Sequence, residues 1–463
     1  MNKKLNVGWV EWISLPDLGI PSIEAKTDTG AKTSALHAHN IQPFGSNKNR
    51  KVRFVINPIK DNPELAIYCS AKVIDEREIT SSMGRTEKRY VINTTLNIGD
   101  FSKEIEITLT NRENLNYRMI LGRSALEGAI VKPDSSYIQT KLDYDVYKSI
   151  KNKLKLKRSL RIGILTREPN SFSVRRIIEE AEKNDHVVET IDTKRCYLKI
   201  DSSNPEVHYN GKPLPIYDAI IPRIGPSITF YGMSVVRQFQ AMGTFCLNSS
   251  QSIGNSRDKL AAHQILVGTG IPMPNTSFAN SPKDTKSLLE LISDMPLVIK
   301  LLQSSQGKGV ILAESKKAAS GVISAFQRIG APFIAQEFVK EANGEDVRCF
   351  VVGKKVVGSM MRKSSDDDFR SNLHSGGTSH KVRITKQERL ISINAARSLG
   401  LNVAGVDIIR SDSGPKVLEV NSSPGIEGIE KSTEKNIAGE IIKYIEENVR
   451  LININQKNTN LIL

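Results

Sequence analysis

The amino-acid sequence predicts a multidomain protein with a mostly-β N-terminal domain, then an α/β domain and an α+β domain. A chain of 463 residues has room for about three domains of roughly 150 residues each. The first 145 residues carry short alternating apolar runs divided by Gly, Asn and Asp turns, a pattern typical of strands. Beyond Arg161, apolar strand patterns alternate with helix patterns, which indicates the other two domains.

The middle of the chain predicts a small parallel α/β unit. RIGIL begins at Arg161, Ser171 is placed to cap a helix through VRRIIEEAEK, and VVETI and DAIIPRIG supply further strands. The turn after RIGIL is TREPN rather than a glycine-rich fingerprint, so no dinucleotide site is predicted there. Further on, Thr385 and Glu388 have capping-box spacing, and Gly400 is placed to end that helix.

Composition and charge narrow the functional classes. The formal net charge of +15 favours an anionic nucleotide or an acidic protein partner, or else is solvated surface charge. No basic stripe with interleaved aromatics indicates sequence-specific nucleic-acid binding. No apolar run is long enough to span a bilayer, and MNKKLNVGWVEW lacks a signal core, so a cytoplasmic location without membrane attachment is expected. The scattered cysteines indicate reduced thiols.

The segment NVAGVDIIRSDSGPKVLEVNSSPG predicts a β-hairpin around the turn SDSGP. With the turn centred near Ser413, Asp407 lies across from Glu419, and Asn421 shares the face of Glu419. Two carboxylates directly across a ladder repel each other unless a cation lies between them. Oxygen-only ligands suit Mg²⁺ or Mn²⁺, so a metal site is predicted. An ordinary acidic hairpin edge is the alternative.

Lys300 stands in the apolar run MPLVIKLL, which predicts a buried strand. A lysine there is costly unless an anion meets it. In the following loop SSQGKG, Gly307 and Gly309 allow backbone N–H groups to turn toward phosphate oxygens. A flexible hairpin tip with an edge lysine is the alternative interpretation.

Two later segments extend the prediction of a nucleotide site. The strand ending at Glu337 and Phe338 offers main-chain groups for an adenine edge, and Asp346, with Glu345 as its rival, offers a carboxylate for ribose hydroxyls. A solvated acidic turn is the alternative for both carboxylates. The polar segment MMRKSSDDDFRSNLHSGGT supplies side chains that are suited to brace a transferring phosphoryl group, namely Arg362, Arg370 and Asn372.

In this order, these residues resemble the ATP-grasp superfamily. The strings IIPRIGPSITFYG, NSRDKL, DFRSNLHSGG, VAGVDI and EVNSSPGIEGIE resemble its RimK branch, the ribosomal-protein α-L-glutamate ligases. The resemblance covers about residues 160 to 445. It implies a pre-ATP-grasp α/β domain followed by an ATP-grasp α+β domain. It implies ATP contacts at Lys259, Lys300, Glu337, Phe338, Asp346, Arg370, Ser371 and Asn372, with catalytic roles for Arg370 and Asn372, and metal ligands at Asp407, Glu419 and Asn421.

The same resemblance implies the chemistry. A carboxylate attacks the γ-phosphate of ATP, with Mg²⁺ or Mn²⁺, two ions, neutralising charge, and an amine then displaces phosphate from the acyl phosphate. The amine is that of L-glutamate. The acceptor is the acidic C-terminal tail of a protein, expected to be a small-subunit ribosomal protein.

The N-terminal segment PSIEAKTDTGAKTSALHAHNI contains Asp28-Thr29-Gly30, and ILGRSAL follows at 120–126. The pair resembles retropepsin-type aspartic proteases, and more narrowly a RimK-associated domain labelled an ATP-dependent zinc protease. A barrel is implied, with Asp28 as catalytic residue. One Asp-Thr-Gly supplies half of an aspartic dyad, so activity requires a homo-oligomer; a docking module is the alternative. His37 and His39 show no third zinc ligand.

The predicted boundaries are a retropepsin-like domain at 1–145, a basic linker at 146–159, a pre-ATP-grasp domain at 160–258, an ATP-grasp domain at 259–446 and a frayed tail at 447–463. Two other functions remain open. One is a peptidase whose ATP-binding half is regulatory, and the other is a ribosome-associated binding protein without catalysis.

Overall fold

A computed structural model gives the fold, which divides into two compact units. The first unit comprises Met1–Leu160 with Val449–Leu463, and the second comprises Arg161–Asn448. The structure describes residues 5–45, 49–60, 62, 65–80, 86–113, 115–139, 142, 144–149, 159–292, 295–302, 309–364, 378–449 and 452–454. Among these residues, no helix is both long and apolar enough to cross a membrane.

The first unit is almost entirely β. Its elements are Asn6–Gly8 (β1), Val10–Leu15 (β2), Ile20–Thr27 (β3), Ser34–His37 (β4), His39–Phe44 (β5), Lys51–Ile56 (β6), Leu65–Thr80 (β7), Thr86–Ile98 (β8), Phe101–Thr110 (β9), Met119–Leu121 (β10), Ile130–Lys132 (β11), Val146–Ser149 (α1) and, from the far C-terminus, Ile452–Ile454 (β28).

The main sheet of this unit runs β2-β3-β10-β4-β9-β8-β7-β6-β5, and a further pairing between β2 and β8 closes the first part of it into a barrel. Closure removes exposed edges, and the alternating residues of the strands fill the interior. Phe54, Ile13 and Leu36 are among the largest fully buried side chains of this core. The mostly-β domain predicted from the alternating runs is confirmed, and its closure agrees with the barrel that the retropepsin resemblance implies.

Two ends of the first unit differ from the sequence-based expectation. Tyr147, predicted to lie in the linker, is buried in the barrel core, where its hydroxyl donates to the carbonyl of Ser22. Ile452–Ile454, predicted to be part of a frayed tail, pairs antiparallel with Leu65–Ile67 of β7. The first contact depends on packing of the Tyr147 ring into the barrel core, and the second depends on the open edge of β7. The local sequence pattern shows neither of them.

The second unit contains the remaining strands and helices. Its strands are Arg161–Leu165 (β12), Val187–Ile191 (β13), Tyr197–Lys199 (β14), Glu206–Tyr209 (β15), Lys212–Pro213 (β16), Ala219–Pro222 (β17), Phe245–Cys246 (β18), Thr276–Ser277 (β19), Leu297–Leu301 (β20), Val310–Ala313 (β21), Phe333–Glu337 (β22), Glu345–Val352 (β23), Lys355–Lys363 (β24), Thr378–Lys381 (β25), Val403–Ser411 (β26) and Gly414–Asn421 (β27).

Its helices are Phe172–Lys183 (α2), Thr229–Ala241 (α3), Ser250–Arg257 (α4), Lys259–Gly268 (α5), Thr285–Leu291 (α6), Lys316–Arg328 (α7), Lys386–Ser398 (α8), Glu427–Thr433 (α9) and Ile437–Asn448 (α10).

Among the described residues, the second unit has four sheets, one of them a small antiparallel sheet in the order β14-β15-β16. A parallel sheet in the order β13-β12-β17-β18 is the α/β part that the sequence predicts. Two antiparallel sheets follow, in the orders β19-β22-β20-β21 and β25-β24-β23-β26-β27. Helix α7 contacts the first of these antiparallel sheets and α8 contacts the second. The α+β architecture predicted beyond Asp258 is confirmed.

The boundaries of α8 follow from local chemistry. The Thr385 hydroxyl accepts from the N–H of Glu388 at 3.1 Å, and the Glu388 carboxylate accepts from the N–H of Thr385 at 2.7 Å. This is the capping box that the sequence predicts. Gly400 ends the helix with φ at 75°. The N–H of Gly400 donates to the carbonyl of Arg397, and the N–H of Leu401 donates to the carbonyl of Ala396. Glycine tolerates that left-handed conformation without a Cβ penalty.

Candidate active site

A cleft of about 840 Å³ lies between the sheets β19-β22-β20-β21 and β25-β24-β23-β26-β27 and extends to the start of α2. It is lined by ten of the residues that the sequence singles out for the nucleotide and metal sites: Lys259, Lys300, Glu337, Phe338, Glu345, Asp346, Arg362, Asp407, Glu419 and Asn421. The structure therefore brings together side chains that are up to 162 residues apart in the chain, from Lys259 to Asn421. Arg370, Ser371, Asn372 and Gly307 lie outside the described residues.

The hairpin β26–β27 carries the acidic side of the cleft. Asp407 pairs with Glu419 across the ladder, as the sequence predicts. The turn itself is tighter than expected, because Ser411 pairs with Gly414, and the register shifts by one residue between Ile408 and Asp407. This β-bulge at Leu418 brings Glu419 opposite Asp407 and restores the predicted pairing.

Asp407 belongs to a row of alternating charges across neighbouring strands. Arg348 donates to both of its carboxylate oxygens, at 2.7 and 2.6 Å, and Arg362 lies 2.9 Å from Oδ2. Arg362 also forms a bidentate pair with Asp346, with both distances 2.7 Å. These cross-strand pairs join β24, β23 and β26. The carboxylate of Asp407 is thus neutralised by two guanidinium groups of the chain itself.

The charge state of Asp407 follows from these contacts. Burial alone would raise the pKa of this carboxyl group, but Arg348 and Arg362 outweigh burial and lower the pKa to about 2. Arg362 is itself buried, and the two aspartates more than offset that burial by raising the pKa of its guanidinium. The row therefore stays fully charged at neutral pH.

Lys300 lies on β20 and reaches the floor of the cleft. Its Nζ donates to Oε1 of Gln336 at 2.5 Å, and the Gln336 amide donates to Thr276 Oγ1 at 2.9 Å. His263, 3.3 Å from the same amide, is bound through its other nitrogen to the carbonyl of Lys259. Burial lowers the pKa of Lys300 to about 8, with Glu419 opposing the shift and Lys259 adding to it. An arriving phosphate would favour the charged form again.

We expect this pKa to show in the pH dependence of nucleotide binding. Because anion binding favours protonated Lys300, ATP affinity should fall as the pH rises through 8, by up to about tenfold per unit for one coupled proton. Lys300→Arg should flatten the profile, since arginine stays charged throughout. Calorimetric titration from pH 7 to 10, with exposed Lys317→Arg as control, measures this; parallel profiles for wild type and Lys300→Arg would contradict it.

A second lysine lies beside the first. Lys259, at the start of α5, donates to the carbonyl of Leu301 at 3.1 Å. Burial lowers the pKa of Lys259, and Glu419 acts in the opposite direction. Glu419 also raises the pKa of Lys300, Arg257 and Arg362 toward the charged form. This exposed carboxylate therefore faces the cations of the cleft.

At the other end of the cleft, β22 ends at Glu337. Its N–H donates to Asn275 O at 2.8 Å, and its carboxylate accepts from Asn275 N at 3.0 Å and from Lys416 at 3.2 Å. These contacts hold the strand end in place. Apolar side chains line the cleft nearby: Leu266, Met273, Val298, Val339, Ile409 and Leu418. Apolar side chains beside a fixed strand end suit a heteroaromatic base.

Several side chains of the cleft were not predicted. Arg348, His263, Gln336 and Arg257 all line it. For Arg348 a signal was available, because it lies two residues after Asp346 and therefore on the same face of a strand. For His263 and Gln336 the contact depends on packing between a helix and a sheet, which the sequence pattern does not show.

In the first unit, Asp28 lies in a loop directly after β3. Its Oδ1 accepts from the N–H groups of Gly30 and Ala31, at 3.0 and 3.2 Å, and its own N–H donates to Leu121 O at 2.8 Å. The Asp-Thr-Gly loop and the ILG segment are thus neighbours, as their resemblance implies. Arg123 donates to the carbonyls of Thr29 and Gly30 and fixes the loop.

The two histidines of this unit do not form a metal site in the structure. His37 is buried, and its Nδ1 accepts from the N–H of Arg112 at 2.9 Å. Burial, with help from Arg118, lowers the pKa of His37 to about 4. In the part of the chain that is described, no three His, Cys, Asp or Glu side chains cluster as metal ligands would.

Family models match most of each of the two units. A RimK-like ATP-grasp domain matches residues 256–445, a RimK PreATP-grasp domain matches 160–253, and a retropepsin-like aspartic endopeptidase, RimB, matches 6–142. Together with the charged cleft, these matches define an ATP-dependent ligase of the ATP-grasp class. The chain belongs to the RimK family of alpha-L-glutamate ligases.

Relatives of two lengths match the chain. A protein named probable alpha-L-glutamate ligase from Parasynechococcus marenigrum (strain WH8102) is 47% identical over 449 residues, which is 96% of each chain. One with the same name from Coxiella burnetii (strain Dugway 5J108-111) is 54% identical over 293 residues, which is 63% of this chain and 97% of that one. The relatives therefore match either nearly the whole chain or a segment of about the length of the second unit.

Solved structures show the same fold. The ATP-grasp ligase PsnB, complexed with a phosphomimetic variant of its minimal precursor, Mg and ADP, covers 63% of this chain and 99% of its own with 18% identity and a TM-score of 0.50. The macrocyclase MdnC from Microcystis aeruginosa MRC, bound with its precursor peptide MdnA, covers 62% of this chain and all of its own with 14% identity and a TM-score of 0.50. ATP-grasp ligases use ATP and a divalent metal such as Mg²⁺.

The residues present fit such a metal. Asp407 and Glu419 face each other, and Asn421 follows on the same strand face, with its amide 3.2 Å from the Glu419 carboxylate. These are hard oxygen donors of the kind that Mg²⁺ takes together with substrate phosphates. Arg348 alone contacts Oδ1 of Asp407, which keeps a further lone pair for a metal, whereas Oδ2 is contacted by both Arg348 and Arg362.

Proposed function

We propose that the second unit adds L-glutamate to the C-terminal carboxylate of a protein acceptor through an acyl phosphate. The observation that carries this proposal is the single cleft in which Lys259 and Lys300 face the acidic hairpin of Asp407 and Glu419. Basic groups for phosphates and hard oxygen ligands for a metal are the two requirements of phosphoryl transfer from ATP. Membership of the alpha-L-glutamate ligases supports glutamate as the amine.

In this proposal ATP lies across the cleft. Lys259 and Lys300 bind phosphate oxygens, Glu337 and Phe338 border the adenine, and Asp346 binds the ribose hydroxyls. Arg370, Ser371 and Asn372, which are outside the described residues, complete the nucleotide contacts, with Arg370 and Asn372 in catalytic roles. Asp407, Glu419 and Asn421 hold Mg²⁺ or Mn²⁺, expected as two ions, which supply charge neutralisation at the transferring phosphate.

The chemistry proceeds in two steps. An oxygen of the acceptor carboxylate attacks the γ-phosphorus of ATP, the bond to the β-phosphate oxygen breaks, and ADP leaves. The neutral amine of glutamate then attacks the acyl carbon, inorganic phosphate leaves, and the amine loses a proton as the amide forms. The lysines neutralise charge on the phosphates in both steps, and no protein nucleophile is required.

The proposed acceptor follows from the net charge of the chain. A chain with a net charge of +15 attracts an acidic peptide tail, and electrostatic steering raises its rate of association. We propose the acidic C-terminal tail of a small-subunit ribosomal protein, reached from the cytoplasm without membrane binding or sequence-specific contact with nucleic acid.

The proposed function is tested by product analysis. Purified protein is incubated with ribosomal proteins, ATP, Mg²⁺ and isotope-labelled L-glutamate, and the products are read by mass spectrometry. We expect mass increments of one or more glutamate residues on one acceptor and ADP release that depends on added glutamate. ADP release unaffected by glutamate, with no labelled product, would refute the ligase and favour a regulatory ATP site or a binding protein.

We expect the ligase to work without the first unit. All proposed ligase residues lie between Lys259 and Asn421, inside the unit Arg161–Asn448 with its own cores. A fragment of residues 161–448 should ligate glutamate to a short acidic peptide at a rate within about threefold of the full chain. Its efficiency on the whole acceptor protein should fall, because remote binding energy is lost. A folded but inactive fragment would show that both units share one active site.

A second function is proposed for the first unit, because Asp28 is half-buried in an Asp-Thr-Gly loop, where its carboxylate accepts from the N–H groups of Gly30 and Ala31. In a homo-oligomer, two copies of Asp28 would share one proton and hydrolyse a peptide. Asp28→Asn in the full chain should leave glutamate ligation unchanged and remove acid-favoured, pepstatin-sensitive cleavage. The domain boundaries predicted from the sequence, after residues 145, 159, 258 and 446, also remain proposals.

A further inference from the structure

The cleft has a basic end beyond Glu419 to which the roles above assign no ligand. Glu168, Ser173 and Arg257 line this end. In the parallel sheet β13-β12-β17-β18, the strands that follow β12 in sequence lie on its two opposite sides. Open α/β sheets bind ligands outside the carboxyl ends of their strands at such a switch point. Glu168 follows the end of β12, and Arg223 follows the end of β17.

Arg257 is only partly satisfied by the protein. One of its terminal nitrogens donates to the carbonyl of Ile224, the residue after Arg223. Its Nε is buried and has no hydrogen-bond partner within the described residues. The described part of the chain also offers it no carboxylate at ion-pair distance. A buried guanidinium N–H without an acceptor is costly, so the geometry indicates a group that arrives with the substrate.

Arg223 adds a second positive charge beside the first. One of its terminal nitrogens donates to the carbonyl of Pro424 at 2.8 Å, in the loop that follows the metal-binding hairpin. Burial, with a contribution from Arg257 and against the effect of Glu168, lowers the pKa of Arg223 to about 10. The two guanidinium groups repel each other, while Glu168 acts on Arg223 and Glu419 acts on Arg257. Because Glu419 serves the metal in the proposed function, the net charge left at this end of the cleft is positive.

We propose that Arg257, positioned beside Arg223, binds a carboxylate of the incoming amino acid that takes no part in the reaction. The inference rests on the proposed function, in which Lys259 and Lys300 serve the phosphates. L-Glutamate brings two carboxylates in addition to its reacting amine, and a guanidinium group binds a carboxylate through two parallel hydrogen bonds. The basic end thereby selects an acidic amino acid and orients its amine toward the acyl phosphate near Glu419.

Steady-state kinetics on the full chain test this assignment. In Arg257→Ala, the KM for L-glutamate should rise about 10- to 100-fold, the range expected for a lost hydrogen bond to a charged group. The KM values for ATP and acceptor should stay within twofold. Arg257→Lys should recover part of the loss, since it keeps the charge but not the fork. Arg237→Ala, an exposed change on α3 outside the cleft, is the control.

Substrate analogues test whether Arg257 contacts the amino acid, because a purely structural role of Arg257 would not change the discrimination between analogues. L-Glutamine lacks the side-chain carboxylate, and L-isoglutamine lacks the α-carboxylate. The wild-type enzyme should discriminate strongly against whichever analogue lacks the carboxylate bound by Arg257, and Arg257→Ala should lose that discrimination. Because the analogues are compared within each enzyme, a general loss of stability cannot produce this result.

The possible failures are distinguishable. If the wild-type chain forms no labelled product, the proposed function is refuted. If the wild type ligates glutamate and Arg257→Ala keeps its KM and its discrimination, only the carboxylate assignment is refuted. A rise in the KM for ATP instead would assign Arg257 to phosphate, and a rise in the KM for acceptor would assign it to the acidic tail.

Discussion

Glu419→Gln is expected to reduce glutamate ligation by at least on the order of 100-fold while leaving the fold intact. Glu419 is exposed to the cleft and lies opposite Asp407, so an amide of the same size removes one negative charge without creating a cavity. A site that balances a divalent cation with carboxylates loses affinity for the cation when one charge is lost. Coupled measurement of ADP release and labelled product gives the loss in rate.

Nucleotide binding measured with and without Mg²⁺ distinguishes loss of the metal site from a general loss of activity. Because Glu419 faces the cations of the cleft, its neutralisation should preserve or tighten ADP binding in the absence of metal. The enhancement by Mg²⁺ should largely disappear. Glu314→Gln, an exposed change outside the cleft, should behave as wild type. Near-normal ligation by Glu419→Gln, or an unchanged Mg²⁺ enhancement, would refute the proposed metal site.

Local pattern was sufficient to predict the elements that carry the site. The apolar runs around Lys300 and Asp407 are strands, and Asp407 lies opposite Glu419. That pairing was predicted from a symmetric turn centred at Ser413, whereas the structure reaches it through a tighter turn and a bulge at Leu418. Both routes give the same pairing because one extra residue on one strand shifts the register by one place.

What the sequence could not show is contact across elements. Asp346 was predicted as a ribose ligand, and the structure also pairs it with Arg362, because β24 lies beside β23. The pairing of Ile452–Ile454 with β7 joins segments nearly 390 residues apart, and no local pattern encodes it. The unpartnered Nε of Arg257 likewise becomes visible only when the parallel sheet and the hairpin loop are placed together.

The stability that the charge row contributes depends on pH, and it decreases as the pH falls. The pKa of Asp407 is lowered to about 2 in the folded state, from about 4 when unfolded. A group with a depressed pKa contributes stability that is fully present above its unfolded value and is lost as the pH falls through the folded one. Stability from this group should therefore decline between about pH 4 and pH 2. Removing Arg362 raises the folded pKa of Asp407 toward its unfolded value, so the stability lost between these two pH values becomes smaller.

Arg362→Met is accordingly expected to lower the free energy of unfolding of the second unit by about 3–5 kcal/mol, because it leaves buried carboxylates with less compensation. The side chains of Arg362, Asp346 and Asp407 are 4%, 7% and 3% exposed, so water cannot replace the lost contacts. Urea unfolding of the fragment 161–448 at pH 7 measures the change.

Two matched variants identify the cause of that loss. Lys431→Met breaks the exposed pair with Glu427, whose side chains are 67% and 52% exposed, and should cost less than about 1 kcal/mol. Adding Asp346→Asn to Arg362→Met should recover part of the stability, because one buried charge disappears with its partner. Arg362→Met could instead unfold at the same urea midpoint as Lys431→Met. The buried row would then contribute no more stability than a surface ion pair, and its role would be in substrate binding rather than in folding.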